Sequence, residues 1–136
     1  MMESLTLPAK VEFLDEINSF IEKQLEPWDC APKTLFQLRL AVEEVFVNIA
    51  SYAYAPRDGD AEVCCEVLES PLRVVIRFLD RGVPFDPLAG EDADTSEEAL
   101  MGREGGLGIL LVKNTMDDVQ YAYEDGKNIL TITKKL

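Results

Sequence analysis

The 136-residue sequence contains no histidine and only three cysteines. Without histidine, Ser–His–Asp triads, zinc–imidazole sites and imidazole proton shuttles are excluded. The cysteines show no metal-ligand spacing, and adjacent Cys64 and Cys65 would point to opposite faces of a strand. An odd number of cysteines, with no secretory signal in MMESLTLPAK, is typical of reduced thiols. We therefore expect a cytoplasmic protein.

Basic residues and long apolar runs are also scarce. The chain has 13 Lys and Arg against 26 Asp and Glu, a formal net charge of −13. This acidity argues against direct binding of nucleic acid, whose phosphates would be repelled, and suits a basic protein partner or a solubilising surface. The longest apolar run, residues 107–112 interrupted by Gly108, is far too short to span a bilayer, so we expect no membrane insertion.

What is present is the composition of one globular domain, residues 1–136, with 47% hydrophobic and 29% charged residues. Periodicity predicts strands at 3–10, 61–69, 72–80, 119–123 and 129–133, and helices at 11–25, 33–54 and 107–116. An aperiodic, acidic loop covers 81–105, which is longer than an ordinary connection. Strands that come as hairpins, with helices in a separate layer, predict an α+β fold, a two-layer α/β sandwich.

The second predicted helix carries the first candidate site. Its expected buried stripe is Leu38, Val42, Val45, Ile49 and Tyr52. Glu44 and Asn48, four residues apart, border this stripe and share one face. Partly desolvated, they need partners, and they could offer a base and a Mg²⁺ ligand one turn apart. Alternatively, they lie on the solvated edge of an ordinary amphipathic helix.

The second candidate is DRGVPFDP, residues 80–87, at the end of a buried strand. A carboxylate fixed there suits an amino group such as that of adenine, and Gly82 would let a flat ring approach the backbone. The alternative is a strand-ending turn in which Asp80 caps local amides.

The third candidate is GREGGLGI, residues 102–109, ahead of a predicted helix. Free N–H groups at a helix start attract phosphate, and glycines let its oxygens reach the backbone. The motif is neither a P-loop nor a dinucleotide fingerprint. The alternative is a flexible hinge followed by a helix start.

In this order, residues 44–48, 80–86 and 103–108 resemble the N, G1 and G2 boxes of the ATPase superfamily that contains gyrase, mismatch-repair and sensor histidine kinase ATP domains. The small size of the chain and the residues within these three motifs more closely resemble the anti-sigma-factor serine kinases of bacterial stress response and sporulation. The resemblance covers nearly the whole chain. It implies a Bergerat-type ATP-binding fold, with a mixed, mostly antiparallel sheet and helices on one face.

The resemblance also implies ATP and Mg²⁺ as cofactors and gives residues roles. Glu44 would be the general base, Asn48 would hold Mg²⁺ on the phosphates, and Asp80 would accept the adenine amino group. The further nucleotide contacts would be Tyr52, Gly82, Phe85, Arg103, Gly105, Gly106, Leu107 and Gly108. Residues 81–104 would form a lid over the phosphates.

The sequence departs from the sporulation-type members at three places. Tyr52 stands where a histidine can occur in them. Glu104 rather than arginine directly precedes the glycines, which leaves Arg103 as the candidate for the γ-phosphate. Near the C-terminus, a Gly-Thr pair that helps to hold phosphate is replaced around residues 128–130. These departures concern contact with the γ-phosphate and the rate of transfer more than ATP binding.

By this resemblance the protein is expected to be a protein serine/threonine kinase of the anti-sigma type. Such proteins bind a sigma factor and phosphorylate a small anti-anti-sigma antagonist of the STAS type, and the resemblance also allows a homodimer. An alternative is a non-catalytic module that binds ATP to choose its partners. A free-standing ATPase domain of a sensor histidine kinase is disfavoured, because the chain lacks a phosphoacceptor histidine.

Overall fold

A computed structural model of the protein describes residues 2–54, 57–88 and 106–136. In these ranges the strands are β1 (Glu3–Pro8), β2 (Asp60–Leu68), β3 (Arg73–Asp80), β4 (Asp118–Glu124) and β5 (Lys127–Lys135). The α-helices are α1 (Leu14–Leu25), α2 (Pro32–Asn48) and α3 (Gly106–Thr115), with short 3₁₀ turns at Val11–Phe13 and Glu26–Trp28. The predicted elements are present, and most of their ends move by only one or two residues.

The strands form one five-stranded sheet in the order β1-β2-β3-β5-β4. The sheet was predicted to be mixed and mostly antiparallel, and the strand pairings are all antiparallel. β1 lies at one edge, where Pro8, which has no N–H to donate, is tolerated. The pairing of β3 with β5 places Asp80 directly opposite Asn128. This register determines the polar end of the candidate site.

One hydrophobic core joins the helices to one face of the sheet. Ile17 of α1, Phe46 of α2 and Val112 of α3 are essentially inaccessible to solvent. They belong to the same cluster as Ile76 of β3 and Ile132 of β5, two interior strands that pair with each other. The predicted two-layer α/β sandwich is confirmed. No helix within the described ranges is long and apolar enough to cross a membrane.

α2 ends earlier than the periodicity predicts. Pro32 begins the helix, where a missing N–H costs nothing. The α-helical hydrogen bonding stops at Asn48, and Ile49–Ala53 continues as a π-helix. Because i→i+5 bonds add about a residue to each turn, the side chain of Tyr52 turns away from the buried stripe, whereas Ile49 still packs against the core. The prediction that Tyr52 belongs to that stripe is therefore wrong: Tyr52 is 52% exposed.

Candidate nucleotide-binding site

A cleft lies between the C-terminal half of α2 with its π-helical extension, the end of β3, and the β4–β5 hairpin. Most of its lining is apolar, and the apolar side chains include Ile49, Phe78, Val83, Phe85, Ile109 and Leu130. Among the residues that the structure describes, the polar side chains that line it are Asn48, Tyr52, Asp80, Tyr121 and Asn128. A concave apolar surface with a few convergent polar groups is the usual form of a small-molecule site.

Asp80 lies at the end of β3 and is only 6% exposed. Its Oδ1 accepts hydrogen bonds from the backbone N–H of Gly82 at 2.9 Å and from Asn128 Nδ2 at 3.0 Å. The hydrogen bonds that the described residues donate to this side chain both end on Oδ1. Oδ2 thus keeps its acceptor capacity for a donor in the cleft.

Gly82 packs against the end of the π-helix. A Cβ at this position would overlap the carbonyl of Ala53, and the next residue, Val83, donates its N–H to that same carbonyl at 2.9 Å. The close contact with Ala53 is therefore enough to explain a glycine at position 82, whether or not a ligand ring approaches it. Its predicted contact with a flat ring stays a prediction.

Tyr54, which no sequence pattern singled out, ties the helical layer to the sheet beside Asp80. Its hydroxyl donates to the carbonyl of Asp60 at 2.6 Å and accepts from the N–H of Arg81 at 2.7 Å. Burial raises the pKa of the Tyr54 phenol, so that the hydroxyl keeps its proton and its role as donor. Tyr54 thereby joins the start of β2 to the end of β3.

The role of Asn128 was also missed. It is 6% exposed and stands beside Asp80, whereas the family pattern had suggested the phosphate end of the site for this part of the chain. The Asp125-Gly126 turn predicts the β4–β5 hairpin but not the pairing of β5 with β3. The signal in the sequence is a polar residue at a position of β5 that the alternating pattern predicts to be buried. Its role can be inferred only once β5 is known to pair with β3.

Glu44 and Asn48 are both half-buried on α2. Asn48 lines the cleft directly. Glu44 lies beside it against α3, where a Cβ on Gly108 would overlap its Oε2. The packing of α3 on α2 therefore brings the helix motif and the glycine motif together, although they are separated by about 60 residues of chain.

The mouth of the cleft carries large exposed apolar side chains. Val83 and Phe85 are each 61% exposed, and Tyr52 stands across from them on the π-helix. Tyr52 and Phe85, both predicted to contact nucleotide, are thus at the rim rather than in the core. Exposed apolar residues around a concave site are a feature of ligand-binding grooves.

The remaining predicted contacts can be placed only in part. Gly106 and Leu107 form the first turn of α3. Arg103 and Gly105 lie outside the described residues, as does most of the predicted lid at 81–104, of which 81–88 are described.

Residues 7–134 match the model of the histidine kinase-like ATPase domain, and the chain belongs to this family. The family resemblance predicted from the three motifs is confirmed, and membership of an ATPase domain family implies the use of ATP. Among curated relatives, the chain is 28% identical over 131 residues to the serine-protein kinase RsbW of Listeria monocytogenes, covering 93% of this chain and 83% of that protein. It is 26% identical over 132 residues to RsbW of Bacillus thuringiensis, covering 93% and 80%.

Two solved structures share the fold. The RsbU and RsbW domains of a Mycobacterium tuberculosis protein align with a TM-score of 0.70 and 15% identity, covering all of this chain. This chain spans only 32% of that longer one. The SiaB–SiaC complex of Pseudomonas aeruginosa aligns with a TM-score of 0.62 and 16% identity, covering 98% of this chain and 89% of the other. At such identities the likeness concerns the fold alone.

Proposed function

We propose that the protein is an ATP-dependent protein serine/threonine kinase of the anti-sigma type, which binds a sigma factor and phosphorylates a STAS-type anti-anti-sigma protein. One observation carries the proposal: Asn48 and Asp80, from two distant motifs, line one cleft together with Ile109 of α3, and Glu44, one turn before Asn48, packs against the same helix α3. The curated relatives are named serine-protein kinases, and the chain covers 80–83% of their length, which supports the reaction type.

The cleft fits an adenine ring. Apolar side chains such as Ile49, Val83 and Ile109 offer contact to a flat ring, and the buried carboxylate of Asp80 offers an acceptor to its amino group. Guanine carries a carbonyl where adenine carries the amino group, and that oxygen would face the Asp80 oxygen. The arrangement therefore favours ATP over GTP.

The donor set also fits Mg²⁺. In the part of the chain that the structure describes, no group of three or more His, Cys, Asp or Glu side chains could hold a metal by itself. Mg²⁺ in phosphoryl-transfer sites takes one or two protein oxygens and completes its shell with phosphates and water. Asn48, with a carboxamide oxygen on the cleft wall, would supply that ligand, and the bound ion would neutralise charge on the phosphates.

Glu44 is the proposed general base. It lies one turn before Asn48 and touches the first turn of α3, and the N–H groups at a helix start attract phosphate oxygens. A carboxylate there can accept the proton of an incoming serine or threonine hydroxyl while the helix start holds phosphate oxygens. Phosphoryl transfer needs mainly this positioning, together with charge neutralisation.

The partners are proposed from the relatives and from charge. RsbW is the name of the curated relatives, and one solved neighbour is a complex of two proteins. The net charge of −13 would favour association with a basic surface on a sigma factor.

The test is a pull-down of partners from the native cytoplasm with and without Mg²⁺–ATP, followed by mass spectrometry and by transfer of labelled phosphate to the captured protein. We expect one captured protein to acquire phosphate on serine or threonine. ATP-dependent capture without any transfer would contradict the kinase and favour a partner-switching module that uses ATP only as a ligand.

A further inference from the structure

The side chain of Asn128 is saturated with hydrogen bonds inside the protein. Its Nδ2 donates to Asp80 Oδ1 at 3.0 Å and to the carbonyl of Val83 at 2.9 Å, with a longer contact of 3.5 Å to the carbonyl of Gly82. Its Oδ1 accepts from the N–H of Phe85 at 3.1 Å and from the Tyr121 hydroxyl. Since an amide has two N–H donors and two acceptor positions, Asn128 has little left to offer a ligand.

These bonds join β5 to the segment that forms one wall of the cleft. The segment from Gly82 to Phe85 is held on one side by Asn128 and on the other by the end of the π-helix, through Val83 N–H and the carbonyl of Ala53. Val83 and Phe85, which carry exposed side chains at the rim, are thus fixed through their backbones.

The same amide fixes the Asp80 carboxylate. Asn128 and the N–H of Gly82 both engage Oδ1, which sets the rotation of the carboxylate about its last bond. Without Asn128, one bond would remain to Oδ1, and the carboxylate could turn either oxygen toward the cleft or away from it. The loss would also remove the Asn128 partner from the partly buried carbonyl of Val83 and N–H of Phe85.

We infer that Asn128 is a positioning residue for the nucleotide base, which sets the preference for adenine through the Asp80 carboxylate without contacting the ligand. The inference rests on the proposed ATP binding. It differs from a purely structural role in one respect: the base end of the nucleotide should be affected, and the phosphate end, at Asn48 and α3, should not.

The experiment compares Mg²⁺-dependent binding of ATP, GTP and inorganic tripolyphosphate by calorimetry for the wild type, Asn128→Ala and Asn128→Asp. In both Asn128 variants the affinity for ATP should fall about tenfold or more relative to the wild type, which is the effect of losing a buried hydrogen-bonded group at a binding site. Tripolyphosphate, which has no base, should bind all three proteins within about twofold, the spread expected for an independent site. Asn18→Ala removes the amide of another buried asparagine, on α1, and should change neither affinity.

A double-mutant cycle with Asp80→Asn distinguishes an effect that acts through Asp80 from a general loss of structure around the cleft. If Asn128 acts through Asp80, then Asn128→Ala should cost less than about twofold in ATP affinity when Asp80 is already asparagine, because the two effects are not independent. Equal losses for ATP and tripolyphosphate, or losses that simply multiply in the cycle, would overturn the inference and leave Asn128 as a structural residue.

Folding is checked by thermal unfolding of each variant. Tyr121→Phe removes a single bond to Asn128 Oδ1 and keeps the ring, so it serves if the Asn128 variants do not fold, and it should shift the ratio of ATP to tripolyphosphate affinity in the same direction. A wild type that does not bind ATP would reject the proposed function and this inference together. A wild type that binds ATP, with folded variants that bind it equally well, would reject the inference alone.

Discussion

The backbone of Gly108 in α3 packs directly on the carboxylate of Glu44 in α2, so closely that a Cβ on residue 108 would overlap Oε2. Gly108 is buried and lies within the helix, so the contact rather than an unusual backbone angle requires glycine. A side chain at residue 108 would therefore push the Glu44 carboxylate, the far end of a flexible side chain, away from its present position. A change at residue 108 should be felt at Glu44.

Gly108→Ala should displace the Glu44 carboxylate or the first turn of α3. A misplacement of about 1 Å at a reacting group can lower a rate about a hundredfold, and we expect single-turnover phosphate transfer to fall by that order. The control is Gly126→Ala in the β4–β5 turn, where no atom lies within 4 Å of a new Cβ but φ is +76°. That change should cost about 1 kcal/mol of stability through backbone strain and leave transfer unchanged. An alanine at 108 that transfers at the wild-type rate would mean that Glu44 is not the base.

Stability should fall at alkaline pH because of Cys65. Burial raises the pKa of this thiol to about 12. In the unfolded chain the pKa of the thiol lies near 9.0, so above that pH the folded state keeps a proton that the unfolded state has lost. The stabilisation is complete below about pH 9 and is lost as pH rises toward 12, by about 1.4 kcal/mol for each pH unit.

The measurement is urea unfolding at several pH values between about 8 and 11. The free energy of unfolding at each pH is obtained by linear extrapolation to zero urea. Cys65→Ala lowers stability at every pH through the lost packing, but its free energy of unfolding should decline less steeply above pH 9 than that of the wild type. Parallel slopes for the two proteins would show that Cys65 does not titrate differently in the folded and unfolded states.

Much of the fold follows from local patterns in the sequence. β3 was predicted because Arg73–Asp80 is dense in Val, Ile and Phe, and the β4–β5 hairpin because Asp125-Gly126 supplies residues that tolerate positive φ. The sites on α2 and at the end of β3 were predicted because each motif is local in the chain. Convergence of Asn48 and Asp80 on one cleft was expected only through the family resemblance.

What escaped prediction depends on contacts between distant parts of the chain. Asn128 has its role because β5 pairs with β3, and periodicity does not specify which strands become neighbours. The π-helix after Asn48 is only five residues long, which is too short to show a periodic pattern in the sequence. It accompanies hydrogen bonds from the residues just after β3 to Ala53 and Tyr54. Tyr52 was misplaced for this reason.

Asp80→Asn should weaken ATP binding and relax base selectivity. The change keeps the shape of the side chain but places an amide N–H where an acceptor is needed for the adenine amino group. Losing a buried charge-assisted bond costs roughly 1.5–3 kcal/mol, about ten- to a hundredfold in affinity. Calorimetry with ATP and GTP measures this, with Asp15→Asn, an exposed aspartate on α1, as the matched control. Unchanged ATP affinity, or GTP bound by the wild type as tightly as ATP, would remove Asp80 from the adenine site.

Glu44 and Asn48, one turn apart on α2, should separate catalysis from binding. If Asn48 is a Mg²⁺ ligand, Asn48→Ala should weaken Mg²⁺-dependent ATP binding and abolish transfer together. If Glu44 only accepts the proton of the incoming hydroxyl, Glu44→Gln should keep ATP affinity while transfer falls about a hundred- to ten-thousandfold. Glu43→Gln, at the exposed neighbouring position, should change neither quantity. The readouts are calorimetric ATP affinity and single-turnover transfer of labelled phosphate to the captured partner. Intact ATP binding with slow transfer would identify Glu44 as the base, because the substitution then removes only the acceptor of the proton. A Glu44→Gln protein as fast as wild type would keep the kinase but assign its base to another residue.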